Sequence, residues 1–315
     1  MRPKEYRIKE LLRKKGLDGA IVSSPENFHY VTGFGGHQHT VSRQPGFTLA
    51  VMRADDKVPT HLTTMDFEAA TFRIKATGLN FVVDPYDTWV GLKTWDEIAH
   101  GAVVPDKTAM ESSMDKLVQF MKACDLANKK VGVELDYLPV PYYKSLTEKF
   151  PEAEFVDISD LFVYARSVKQ PDEIEMFRNL CRIADHGFTE VSKIAKIGVS
   201  ERELAQCFRE DVIKSGFCAP SAWSMFSTGP SSARLTLPGD GVVKDGDVVK
   251  FDAGVNAEFD FYTTDTSRAW IIGNGDPVLL KLKDRLYEGQ RRMIAAAKPG
   301  LPINELYHTA YDYVK

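Results

Sequence analysis

Two carboxylates inside one β-rich stretch constrain this chain more than any other feature. Residues 242–272 read VVKDGDVVKFDAGVNAEFDFYTTDTSRAWII. Asp245-Gly246 is a turn signal, and Val248 to Gly254 then alternates as a strand. A second strand is expected from Phe259 to Ile272, where β-branched and aromatic residues crowd together. In an antiparallel hairpin, Asp252 and Asp265 would sit opposite each other, with twelve residues between them. Like charges directly opposite on a sheet repel. A divalent cation between them is the simplest repair, because such ions prefer hard carboxylate oxygens. Incidental surface acids are the competing reading. The metal reading is favoured because an unpaired charge inside an apolar, aromatic hairpin is costly.

The rest of the chain limits what can surround this pair. A length of 315 residues predicts about two domains. With 43% hydrophobic and 27% charged residues, the chain can bury sizeable cores. A formal net charge of −4 argues against nucleic acid as the main partner, since phosphate binding requires a basic face. The clusters Arg13-Lys14-Lys15 and Lys129-Lys130 read as solvated helix ends. Cys124, Cys181, Cys207 and Cys218 show no CxxC pairing, which points to free thiols in a reducing compartment. The charged start MRPKEYRIKELLRKK lacks the apolar core of a signal peptide, and no apolar run reaches membrane-span length. A cytoplasmic location is expected.

Strands alternating with helices fill the first half and predict an α/β domain with a mixed sheet. A helix is expected over residues 4–15, with Tyr6, Ile8, Leu11 and Leu12 on one side and Gly16 as its stop. Strands are expected at 19–23, 47–52, 60–64, 80–84, 130–135 and 154–158. Helices are expected at 25–33, 66–76, after Glu111-Ser112-Ser113, and at 139–150. No glycine-rich phosphate loop is present. His37 and His39 stand two residues apart, which on a strand would make one face and a metal pair. No Asp, Glu or Cys accompanies them at ligand spacing. A glycine-flanked loop with solvated or cleft-lining histidines is therefore the favoured reading, and a substrate-side role from a neighbouring domain or subunit stays open.

A domain boundary is placed near 165–170, giving domains 1–165 and 166–315. Gln170-Pro171-Asp172-Glu173 opens a helix, with proline at its first position and two acids in its first turn. Its apolar stripe is expected to be Ile174, Phe177, Cys181, Ala184, Phe188 and Val191. Ser200-Glu201-Arg202-Glu203 is a capping box for a second helix, whose inward residues are Leu204, Cys207 and Phe208. Extended segments are expected over 222–228 and 233–237, ahead of the acidic stretch. Asp276-Pro277 starts a helix to about Lys298, and a final helix begins at Ile303. His186 and His308, on amphipathic helices, read as structural.

Several of these segments, taken in order, resemble the creatinase/aminopeptidase P superfamily of metallopeptidases. Ala165-Arg166-Ser167-Val168-Lys169 followed by Asp172-Glu173-Ile174-Glu175-Met176-Phe177-Arg178 is similar to the helix opening its catalytic domain. Phe251-Asp252-Ala253-Gly254, then Tyr262-Thr263-Thr264-Asp265-Thr266-Ser267-Arg268, resembles its first two metal-ligand segments. Gly16-Leu17-Asp18 and Glu26-Asn27-Phe28-His29-Tyr30-Val31-Thr32-Gly33-Phe34 are similar to its non-catalytic N-terminal domain. The resemblance implies an RNase-H-like N-terminal domain followed by a truncated pita-bread α/β domain. It implies a Xaa-Pro dipeptidase-like hydrolase of small peptides, acting through a metal-bridged hydroxide between two ions roughly 3.5–4 Å apart. The expected ions are Mn²⁺ first, with Co²⁺ or Zn²⁺ as other options, and the expected assembly is a homodimer. Asp252 would chelate one ion and Asp265 would bridge both. Tyr262, Arg268, His37 and His39 are candidates for substrate-side or supporting positions.

Three departures from the family pattern shape the expectations. The two aspartates lie two residues further apart than is usual, which preserves the parity of their pairing. The segment Ser231-Ser232-Ala233-Arg234-Leu235-Thr236-Leu237-Pro238 lacks the histidine that polarises substrate in many members. The remaining family ligands, one His and two Glu, lie beyond Lys315, so the chain is expected to be an incomplete version of a longer protein and inactive alone. Alternative readings are a creatinase-like hydrolase or small-molecule lyase on the same fold, and a non-catalytic binding module.

Overall fold

The computed structural model describes residues 3–88, 94–101, 107–216, 218–257 and 260–315, which pack as two compact units, Met1–Gln170 and Pro171–Lys315. In the first unit the elements follow as α1 (Pro3–Lys14), β1 (Gly19–Val22), α2 (Pro25–Thr32), β2 (Leu49–Arg53), β3 (Thr60–Thr63), α3 (Ala69–Ala76), β4 (Phe81–Val83), α4 (Trp95–Ala99), α5 (Ala109–Ala123), β5 (Lys130–Val133), α6 (Val140–Lys149), β6 (Glu154–Asp157) and α7 (Ser159–Ser167). The strands form one mixed sheet in the order β4-β3-β2-β1-β5-β6. β2 runs antiparallel to both β1 and β3, while β5 is parallel to β1 and β6.

Local chemistry starts and stops these elements. Ser24 caps α2 by accepting from the Asn27 amide, Pro25 occupies the first helical position, and Gly33 closes the helix in the left-handed region. Thr108 and Glu111 form a reciprocal capping box for α5, so this helix begins earlier than Glu111-Ser112-Ser113 suggested. The sheet divides two apolar cores. Ile8, Leu12, Phe28 and Phe72 pack in one, and Leu117, Phe120, Val131 and Leu146 in the other. Tyr6 is exposed, so it leaves the buried side of α1 where the sequence had placed it.

The second unit contains α8 (Pro171–Ile194), α9 (Glu201–Lys214), β7 (Cys218–Pro220), β8 (Met225–Thr228), β9 (Val248–Ala253), β10 (Val255–Ala257), β11 (Thr266–Ile271), α10 (Pro277–Ala296) and α11 (Ile303–Val314). Helices α8 and α9 cover one face of the antiparallel sheet β11-β9-β8. The covering core joins Leu180, Phe188, Phe208, Phe226 and Phe251. The expected stripe of α8 is correct only in its second half. Ala184, Phe188 and Val191 are buried, but Ile174 and Cys181 are exposed and Glu173 and Leu180 take the inward positions. Polar Glu173 sits inward because the Tyr262 hydroxyl satisfies it, a pairing that periodicity cannot register.

The acidic stretch also folds differently from a simple hairpin. Phe259 lies outside the described residues. Its neighbours divide into β10, which pairs with β7 in a separate two-stranded sheet, and β11, which starts only at Thr266. Gly254 makes this division sterically feasible, because a Cβ there would collide with the Thr264 carbonyl and the Ser221 hydroxyl. Residues 233–237, expected to be extended, form no strand; Ser232 and Ala233 close a 3₁₀ turn and an exposed loop follows.

Candidate metal centre

Strand β9 alternates half-buried and buried positions from Val248 to Ala253. Val249, Phe251 and Ala253 face the helices, so Val248, Lys250 and Asp252 lie on the opposite, uncovered face. Across the ladder Asp252 faces Ser267, with Met225 of β8 on its other side. Asp265 is two residues before Ser267 and therefore shares that face diagonally. This corrects the directly opposite placement expected from the sequence, because the late start of β11 shifts the register. Asp252 is half-buried, while Asp265 is exposed rather than enclosed in aromatic surroundings.

Electrostatically the two acids remain coupled. Burial pushes the Asp252 carboxyl above the ordinary carboxylate range, and the neighbouring Asp265 charge pushes it further; Lys250 opposes both. A proton on Asp252 can be shared with Asp265 as a hydrogen bond, which also favours the protonated form. Hard carboxylate oxygens brought this close together are a donor pair that suits a divalent cation. Among the described residues no group of three or more His, Cys, Asp or Glu comes together to hold a metal ion.

The loop leading into Asp265 is tied down residue by residue. The Ala257 amide donates to the Tyr262 carbonyl, the Thr264 amide to the Val255 carbonyl, and the Val255 amide to the Thr264 hydroxyl. Tyr262 points its hydroxyl at Glu173 Oε1, 2.7 Å away, with its ring edge-on to Phe177. Arg268 stands on the helix-covered face, where it pairs with Asp185 at 2.7 Å and lies over the Phe188 ring. Neither side chain is aimed toward the face that carries the acids, which corrects the substrate-side placement considered for them. For Arg268, one residue of parity along β11 decides the face.

The loop over residues 229–241 is held by a carboxylate that the sequence reading named only as part of the Ser200–Glu203 capping box. Glu201 is buried and accepts from the Thr228 amide, the Ser231 hydroxyl and the Gly239 amide. Lys250 Nζ donates to the Arg234 carbonyl at 2.9 Å, linking this histidine-free loop to the strand face that bears Asp252. Glu201 follows the capping Ser200, and a buried acid one residue from a cap leaves no separate sequence signal.

His37 and His39 belong to the first unit and do not form a strand pair. His37 is exposed, whereas His39 is buried within a short π-helical turn over Gln38–Ser42. His39 Nε2 donates to the Ser23 carbonyl at 2.8 Å, leaving Nδ1 buried without a partner. Burial depresses its pKa to about 4, so the imidazole is neutral. Of the solvated or cleft-lining pair expected, His37 fits, lining a cavity with Gly35, Gly36 and Phe67, whereas His39 is enclosed. His186 is exposed and bonds Asp211, which holds its pKa above the ordinary value.

Comparison with known proteins places this arrangement. Residues 6–168 match the creatinase/prolidase N-terminal domain, and residues 175–315 match metallopeptidase family M24. The chain belongs to the creatinase/aminopeptidase P superfamily. An uncharacterized peptidase of Bacillus subtilis, YqhT, is 24% identical over 312 residues, which is 98% of this chain and 76% of that protein. The Xaa-Pro dipeptidase of Pyrococcus furiosus is 28% identical over 215 residues, 66% of this chain and 60% of that protein. Among solved structures, a Xaa-Pro dipeptidase from Bacillus anthracis aligns at a TM-score of 0.77 and 21% identity, covering 99% of this chain and 76% of its own. The prolidase of Pyrococcus horikoshii OT3 aligns at 0.75 and 19%, covering 99% and 77%. The shared fold is that of the superfamily: a mixed α/β N-terminal domain followed by a pita-bread α/β unit. This chain spans about three-quarters of the length of most of these relatives. Asp252 and Asp265 fall inside the region, residues 175–315, that matches metallopeptidase family M24.

Proposed function

We propose that this chain carries two metal ligands, Asp252 and Asp265, of a metal-dependent hydrolase of small proline-containing peptides. The observation that carries the reading is the coupled carboxylate pair on the uncovered face of β9 and β11. Its support comes from the M24 match over the same residues and from the Xaa-Pro dipeptidases among the relatives. Asp252 and Asp265 would hold the site's divalent ions, Mn²⁺ first by the hardness of the donors. When bound, such ions would supply Lewis-acid activation of the peptide carbonyl and of the attacking water. The chain's own residues fix the acids: β9 sets Asp252, and the pinned 262–264 segment sets Asp265. Lys250, on the same face, opposes the upward push on the Asp252 carboxyl. The absence of CxxC spacing among Cys124, Cys181, Cys207 and Cys218 fits a reducing, cytoplasmic setting, and a homodimer is the expected assembly.

A second reading, a creatinase-like hydrolase or lyase of small molecules, is favoured by one observation. The loop tied to Lys250 offers the Arg234 backbone and no imidazole between residues 231 and 238. Incubation with Mn²⁺ and a Xaa-Pro dipeptide tests the first reading. Release of free proline that stops on chelation and in Asp265→Asn supports it. Turnover that survives both treatments would refute it.

A further inference from the structure

We propose that Tyr262 and Glu173 form a positioning clamp that sets Asp265 against Asp252. The inference rests on the reading of these two acids as metal ligands, and it assigns a task to two residues which that reading leaves unused. The loop into Asp265 makes a strained reversal: Phe261 adopts φ 59°, a left-handed conformation that a bulky side chain rarely takes. Such a conformation persists only where surrounding contacts over-determine it. The next residue provides those contacts. The Tyr262 hydroxyl donates to Glu173 Oε1, its ring meets Phe177 edge-on at 5.4 Å, and its carbonyl accepts from Ala257.

Glu173 suits this task because it is held by α8, the long helix that carries the unit's core. It is only 2% exposed, so its carboxylate is not spent on solvent. Between Tyr262 and Asp265 the chain has little freedom left. Thr264 is bonded through both its amide and its hydroxyl to Val255, and the Ser221 hydroxyl lies 3.5 Å from that of Thr263. A displacement of Tyr262 is therefore passed along three residues to the Asp265 carboxylate. Groups that orient a ligand in this way typically change metal affinity about 10–100-fold when lost.

The test combines calorimetric titration of the full chain with Mn²⁺ and amide hydrogen exchange without metal. Tyr262→Phe and Glu173→Ala are expected to weaken Mn²⁺ binding about tenfold each, with the double variant no weaker than either. Glu173→Gln keeps an oxygen acceptor for the tyrosine and is expected to restore affinity to within about twofold of the native chain. A merely structural role would instead lower the stability of Tyr262→Phe and Glu173→Ala to denaturant while leaving their Mn²⁺ affinity at the native value. In metal-free protein, Tyr262→Phe is expected to speed exchange of the Thr264 amide about tenfold. Native affinity in Tyr262→Phe, or unchanged exchange at Thr264, overturns the clamp. A native chain that binds no Mn²⁺, or binds it equally well as Asp265→Asn, overturns the ligand reading instead; the exchange result then decides whether the tyrosine fixes the loop.

Discussion

The six-stranded sheet of the first unit and the three-stranded sheet of the second treat their faces differently, and that difference locates the chemistry. In the first unit, β1 is buried at all four positions and β2 at its first four, because helices cover both sides. In the second unit, β9 buries every other residue and leaves Val248, Lys250 and Asp252 on an uncovered face. Carboxylates follow the same division. Glu134, buried in the first unit, accepts from the Ser23 and Ser24 amides, the Ser24 hydroxyl and the Asn27 side chain. Asp252 responds first to its own burial and then to the neighbouring Asp265 charge. A buried acid with a full set of donors organises structure, whereas two adjacent acids that find no such set among the described residues are poised for a ligand.

The largest test of this contrast is on the covered face. Phe251 is fully buried, with ring centroids of Phe226 at 5.0 Å and Trp270 at 4.5 Å. Phe251→Ala is expected to cost about 3–5 kcal/mol in chemical denaturation. Ser267→Ala, one ladder step away on the uncovered face, is expected to stay within about 0.5 kcal/mol. Equal costs would mean that both faces are packed. Next in size, Glu134→Ala strips the acceptor from four buried donors and should destabilise the first unit by about 3 kcal/mol. A loss below about 1 kcal/mol would remove the distinction drawn between the two kinds of acid.

A smaller effect tests the enclosed histidine. The folded pKa of His39, about 4, lies below its ordinary value of 6.5. As pH falls, the unfolded chain therefore takes up the proton first. Its contribution to stability is complete above about pH 6.5 and drains away between there and pH 4. Between pH 7.5 and 5 the first unit should lose about 2 kcal/mol through this group, and His39→Phe should flatten that part of the profile. Glu26 works against the shift and Arg43 with it, so an unchanged slope in His39→Phe would assign the effect to those charges. The smallest effect belongs to Asp265→Asn, which relieves repulsion and should leave stability within about 0.5 kcal/mol or raise it.

Much of the fold was legible because it is written in short-range chemistry. Ser24-Pro25, Ser200 with Glu203, and Asp276-Pro277 each start a helix where the sequence marks one. Alternation along 248–253 revealed which β9 residues share a face. What was not legible depends on partners far away in the chain. Arg268 turns to Asp185 across 83 positions, and Tyr262 to Glu173 across 89. Helix α7 passed unnoticed because residues 159–167 carry neither a side-chain cap nor a glycine stop. The acids themselves were found from the sequence, but their diagonal register was not. The departure of β10 to pair with β7 is a tertiary choice that the strand pattern does not encode.

The central claim is that divalent metal binds at Asp252 and Asp265, on the uncovered face of the second unit. Titration with substoichiometric Mn²⁺, followed by amide resonance broadening, locates the ion directly. The account predicts broadening centred on Asp252, Asp265, Ser267 and Met225, absent in Asp252→Asn. Broadening centred elsewhere, or unchanged by that substitution, would contradict it.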